Sequence, residues 1–171
     1  MGGSVRWRLA PSGLVVLLVL AGCGGGDGTE QVALPPPSAS PSTVAPLTAK
    51  EAKGRYLAVV AAYDIARDEL AEAEKAGRPW RSVRERAAAV ATANEGCAGE
   101  LRAVRWPAAV QAPMAALLAE HEVALRHWKL ATSAGSAAEL RREIRAAGAH
   151  DGVRQATKVR AALGLPPLRA T

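Results

Sequence analysis

Residues 83–104, VRERAAAVATANEGCAGELRAV, place Val83, Ala87, Val90, Asn94, Cys97, Leu101 and Val104 at alternating spacings of four and three. Each residue of an α-helix turns the chain by about 100°, so this spacing lines one narrow stripe along a helix. The intervening positions are charged or small, which gives the helix a single apolar seam. Such a helix is stable only when the seam is covered by other helices. Trp106-Pro107 marks its end, because the residue before proline is held away from helical geometry.

The same period recurs on both sides. Upstream, Thr48-Ala49-Lys50-Glu51 has the form of a capping box, and Tyr56, Val59, Val60, Tyr63, Ala66, Leu70 and Ala73 follow as a stripe that Gly77 and Pro79 close. Downstream, Val110, Met114, Leu117, His121, Ala124, Trp128 and Ala131 form a third stripe, which Leu118 and Leu125 widen. Pro113 is expected in the first turn of that helix, where a missing N–H costs least. A second capping box, Ser136-Ala137-Ala138-Glu139, opens a fourth segment with Leu140, Ile144, Ala147, Ala156, Val159 and Leu163, ended by Gly164 and Pro166-Pro167. Within it, Gly148-Ala149-His150-Asp151-Gly152 either packs tightly against a neighbour or breaks the helix. No period-two run appears from Thr48 onward. The expected fold is all-α, an antiparallel up-down-up-down four-helix bundle over residues 47–165 with a short tail at 166–171.

Composition agrees with helices that approach closely around a thin core. The 171 residues contain no phenylalanine and only two tyrosines, and alanine supplies about a fifth of the chain. The length of the helical region suits one domain. Only two cysteines, Cys23 and Cys97, are present.

Ahead of the helices, Arg6 and Arg8 precede the apolar run Leu14-Val15-Val16-Leu17-Leu18-Val19-Leu20, which is far short of the ~20 residues that span a bilayer. The next residues, Leu20-Ala21-Gly22-Cys23, resemble the lipobox of bacterial lipoproteins. That resemblance implies a signal peptide at 1–22, cleavage before Cys23, and a diacylglyceryl group on its sulfur with palmitate as a typical acyl chain. An ordinary secretory signal cut near Ala21 is the competing reading. Lipidation would place the protein on the extracytoplasmic face of the cell membrane, held by the N-terminal lipid. It would also deny Cys97 a disulfide partner. The Gly-rich and Pro/Ser-rich stretch at 23–46 is too poor in large apolar residues to bury a core. A flexible chain of that length reaches roughly 25–30 Å. Together with Leu101-Arg102-Ala103-Val104-Arg105-Trp106-Pro107 and Leu163-Gly164-Leu165-Pro166-Pro167, this layout is similar to that of uncharacterised actinobacterial lipoproteins with helical domains, a resemblance that brings no activity with it.

The charge is basic, with 22 Lys and Arg against 16 Asp and Glu. With Arg6 and Arg8 in the leader, 20 basic residues remain and the net is +4. The excess gathers near the C-terminus at Arg141, Arg142, Arg145, Arg154, Lys158 and Arg160, either as a solvated face or as an attraction for anionic headgroups or wall polymers. Nucleic acid is not an expected partner, because no recognition motif is visible.

Four polar residues fall near the middles of their segments: Tyr63, Asn94, His121 and Asp151. In antiparallel helices of similar length these heights coincide, which predicts a polar layer whose members satisfy one another. It would fix helix register, as a seam asparagine does in coiled coils, or line a small-ligand pocket, or hold a metal. The carboxylate bundles that bind two metals carry Glu-x-x-His pairs, and no glutamate here stands three residues before a histidine. No metal, cofactor or catalytic residue is therefore expected. Cys97, on the seam, reads as a small buried hydrophobe. The expected function is a non-enzymatic binding or interaction module of the cell envelope, with an envelope protein or a small ligand as its partner. The alternative is a ligand-scavenging bundle that uses the polar layer.

Overall fold

The computed structural model describes residues 45–167; the leader, Cys23 and most of the linker lie outside them. Five helices follow in order: α1 (Ala49–Lys75), α2 (Trp80–Ala103), α3 (Ala108–Thr132), α4 (Ala137–Gly148) and α5 (Val153–Ala162). No strand occurs among the described residues. Each of the first three helices packs on its successor, and α3 also carries α5, so α4 and α5 share α3 as their support.

The termini follow from local chemistry. Thr48 and Glu51 form the complete capping box, and the Glu51 carboxylate accepts from the Thr48 N–H at 2.9 Å. At Ser136 the box is only half made. Its hydroxyl accepts from Glu139 N, while the Glu139 carboxylate accepts from Gly135 N at 2.9 Å. Gly77 and Gly164 both take φ near +61°, the left-handed conformation that closes a helix, and Arg78 N and Leu165 N donate back to Ala73 and Arg160 carbonyls. The α2–α3 corner is closed by buried Trp106, whose Nε1 donates to the Leu101 carbonyl at 2.8 Å and whose ring meets Tyr56 edge-on.

Pro113 departs from its expected place. Helix α3 begins at Ala108, so Pro113 lies in its interior rather than in its first turn. The Val110 N–H instead donates to Pro107 in a tight opening turn. Proline leaves the Ala109 carbonyl without its usual donor, and Ala109 is exposed where water can serve.

The fourth segment is two helices. Gly152 adopts φ +68°, the chain turns there, and α5 restarts at Val153. An ideal Cβ at Gly152 would meet Leu117 Cδ1 at 2.9 Å, so α3 presses on the turn where only glycine fits. The core otherwise follows the stripes. Leu101, Val90, Val110, Leu140 and Val159 are almost fully enclosed, and burying such a side chain contributes about 1.5–3 kcal/mol. Ala52, Ala87, Ala124 and Ala131 are fully buried between them, which lets the helices approach closely. In α4 and α5 the buried face includes Glu143 and Gln155, while Ile144 and Ala156 are half-buried.

Candidate functional site

Helices α2 and α3 bring Asn94 and His121 together at the centre. Both are buried, and His121 Nδ1 lies 3.0 Å from Asn94 Oδ1. Burial, followed by the nearby charges of Arg67 and Arg102, lowers the His121 pKa to about 4, so the ring is neutral at pH 7. With a carbonyl oxygen as partner, the proton sits on Nδ1 and the lone pair on Nε2. Tyr63 of α1 places its ring 5.0 Å from the imidazole, and the Arg67 guanidinium lies over the phenol ring, 5.7 Å from its centroid. Burial raises the Tyr63 pKa. Trp128 is close enough to the Tyr63 oxygen to oppose that rise, yet its Nε1 makes no aligned hydrogen bond and, like Asn94 Nδ2, is buried without a partner.

Asp151 stands apart from this bonded group. It lies in the α4–α5 turn, and its Oδ1 accepts from the Val153 N–H at 3.0 Å. It joins Tyr63 and His121 only as part of the wall of a cleft between α1 and α5, above α3. Val60, Asp64 and Arg160 also line that cleft, whose volume is about 50 Å³, and the Asp64 carboxyl is raised by burial. This space suits one or two water molecules. Cys97, one turn beyond Asn94, is buried, and burial with the charges of Asp64 and Glu100 pushes its thiol up to about 12. A thiol held there is protonated at neutral pH and is a poor nucleophile.

A larger depression of about 730 Å³ lies between α1 and α2, lined by Glu69, Glu72, Arg78, Ser82, Glu85 and Arg86. These side chains are exposed, and Glu69 and Arg86 already pair at 2.7 Å. A small molecule there would keep most of its surface in water.

The sequence reading missed a second polar group on the α3–α4 interface. Glu120 of α3 accepts from His150 Nδ1 at 2.9 Å and from Gln155 Nε2 at 3.1 Å, clasping both sides of the Gly152 turn. One heptad along, His127 Nδ1 lies 2.9 Å from Glu143 Oε2, and Arg142 donates to the other carboxylate oxygen. The His127 and His150 rings lie parallel, 6.5 Å apart. Hydrogen bonds from His127 and then Arg142 hold the Glu143 carboxyl below its ordinary pKa, and these partners, rather than depth in the core, cover it. The available signal was a repeated spacing: Glu120 to His127 and Glu143 to His150 are both seven residues, one face of a helix. Among the described residues, no group of three or more His, Cys, Asp or Glu is arranged to hold a metal ion, and no helix is long and apolar enough to cross a membrane. No protein-family model, curated protein or solved structure matches the chain.

Proposed function

We propose that the protein is a lipid-anchored, non-enzymatic interaction module that works through its outer surface. The observation that carries this reading is the closed centre of the bundle. Asn94 and His121 bond to each other, and the adjoining cleft of about 50 Å³ is far below the ~300 Å³ typical of small-molecule sites. Residues that could have served a ligand instead hold helices in register, which favours a rigid body displayed to other envelope components over a scavenging pocket.

The finer topology belongs to the same proposal: successive helices alternate in direction. Support comes from the ion pairs. Arg55–Glu100 and Arg86–Glu69 join α1 to α2 in opposing order, and Arg102–Glu122 with Lys129–Glu95 do so for α2 and α3. The His150–Glu120 and His127–Glu143 pairs repeat the pattern for α3 and α4.

The anchoring half of the reading rests on Leu20-Ala21-Gly22-Cys23. Fractionation of expressing cells tests it, with mass spectrometry of the mature N-terminus. The expected result is a membrane-bound chain beginning at an acylated Cys23, whereas Cys23→Ala is neither acylated nor cut before residue 23. A mature chain with an unmodified thiol would overturn it. Crosslinking and co-purification with wild type and Cys23→Ala then separate specific partners from membrane neighbours.

A further inference from the structure

The outer faces of α4 and α5 carry Arg141, Arg142, Arg145, Arg154 and Lys158, all exposed. The same two helices and their connection hold three acidic residues, and none is exposed. Glu143 is buried under its hydrogen-bond partners, Glu139 caps the helix start, and Asp151 caps Val153. Helical geometry produces this separation. Leu140, Glu143 and Ala147 point into the bundle, so Arg141 and Arg145 fall on the opposite side of α4. In α5, Gln155 and Val159 point inward, and Arg154 and Lys158 outward.

Every other helix mixes its signs. Helix α1 exposes Glu51, Asp68, Glu69, Glu72 and Glu74, α2 exposes Glu85, Glu95 and Glu100, and α3 exposes Glu122. Among the described residues, Arg141, Arg145, Arg154 and Lys158 take part in no ion pair, whereas Arg55, Arg86, Arg102 and Lys129 all pair with carboxylates of a neighbouring helix. The acids that would neutralise the outer face have been drawn inward, and its cations stay available.

We propose that this α4–α5 face docks the domain onto an anionic lipid bilayer. A one-signed surface complements a sheet of phosphate headgroups, and each Lys or Arg near such a surface adds to the attraction while salt weakens it. The inference rests on the anchored reading for its setting, because the tether expected at 23–46, with a reach of roughly 25–30 Å, would keep the domain within range of the headgroups. One acyl anchor and one basic face would then fix orientation: α4 and α5 lie against the membrane, and the α1–α2 hairpin turns outward toward partners.

The test uses the mature chain from residue 23 with Cys23→Ala, which carries neither leader nor lipid, and sedimentation with phosphatidylcholine vesicles with or without roughly one third phosphatidylglycerol. Binding is expected to need the anionic lipid and to fall with added salt. The R141Q/R145Q/R154Q/K158Q variant should bind at least tenfold more weakly, with an unchanged circular-dichroism spectrum. The control K50Q/K75Q/R78Q/R81Q removes the same number of exposed charges elsewhere and should lose less than threefold. Equal losses in both variants would show that net charge alone acts and would overturn the proposal. So would tight binding to soluble polyphosphate without any preference for phosphatidylglycerol, which would assign the face to an anionic polymer. These vesicle results are independent of acylation at Cys23, so failure of the face leaves the anchor standing, and failure of the anchor leaves the face measurable.

Discussion

His121 donates through Nδ1 to Asn94 Oδ1 across the α2–α3 interface at 3.0 Å, and both residues are buried. Its energetic signature is a dependence on pH. The His121 pKa falls to about 4 in the folded protein, against about 6.5 for an unfolded chain. Between those values the unfolded chain holds a proton that the folded one lacks, so stability is fully present above pH 6.5 and is lost as pH falls toward 4. The loss amounts to about 3 kcal/mol. Asp64 and Glu74, whose carboxyls burial raises, act in the opposite sense at the lower end of this window. His121→Gln keeps a donor for Asn94 and removes the titration. Urea unfolding at pH 7 and pH 5 should therefore show a large drop in midpoint for wild type and a clearly smaller one for the variant; parallel drops would contradict the assignment.

The same pair makes a prediction about coupling. Asn94→Leu strands the His121 N–H in the core, and an unpaired buried donor costs about 1–3 kcal/mol. His121→Leu strands Asn94, whose Nδ2 already lacks a partner. The double variant removes both polar groups and should be more stable than either single one. A double-mutant cycle measures this directly, and simple additivity would mean that the two side chains act separately.

The seam spacing alone exposes this pair, because Asn94 and His121 interrupt otherwise apolar stripes. Tyr63 was legible for the same reason. Asp151 was not, since its height along an unbroken helix means little once Gly152 turns the chain and the carboxylate caps the new start. Glu120 lies beside the α3 stripe rather than on it, and Glu143 takes the inward place between Leu140 and Ala147 that the apolar Ile144 was expected to hold. Their covering depends on histidines that only the α3–α4 register brings opposite them. Pro113 reads as a helix start by local preference, and its place inside α3 shows tertiary packing overriding a cost of ~3 kcal/mol.

Two glycines at one break should respond in opposite ways. Gly152→Ala forces a Cβ into the left-handed region, at a cost of about 1–2 kcal/mol, and against Leu117. Gly148, at the end of α4, has ordinary helical geometry and open space where its Cβ would stand. Gly148→Ala should be neutral or stabilise by up to ~1 kcal/mol. Thermal midpoints should move down for the first and hold or rise for the second; a stable Gly152→Ala protein would show that the break is not tied to this backbone.

Glu120 binds both edges of the break, through His150 before it and Gln155 after it. Glu120→Ala should loosen α5 locally without unfolding the rest. Amide hydrogen exchange is expected to quicken across residues 153–162 by severalfold or more, with α1 and α2 little changed. Uniform acceleration throughout the domain would instead place Glu120 in the global stability of the fold.

Cys97 joins the fold to the anchor, because the two cysteines of the chain divide their roles. Its thiol is buried beside the α1–α2 seam and pushed up to about 12, so neither access nor thiolate is available in the folded state. Purified mature protein should give almost no reaction with a disulfide reagent such as Ellman's at pH 8, and one equivalent in denaturant if Cys23 is acylated. Two equivalents in denaturant would show an unmodified Cys23 and remove the anchor from the proposal. Rapid reaction without denaturant, with no more than one equivalent in denaturant, would mean that the seam opens around Cys97, in conflict with the closed centre on which the surface-binding reading depends. The two stages of one titration thus examine the tether and the core separately.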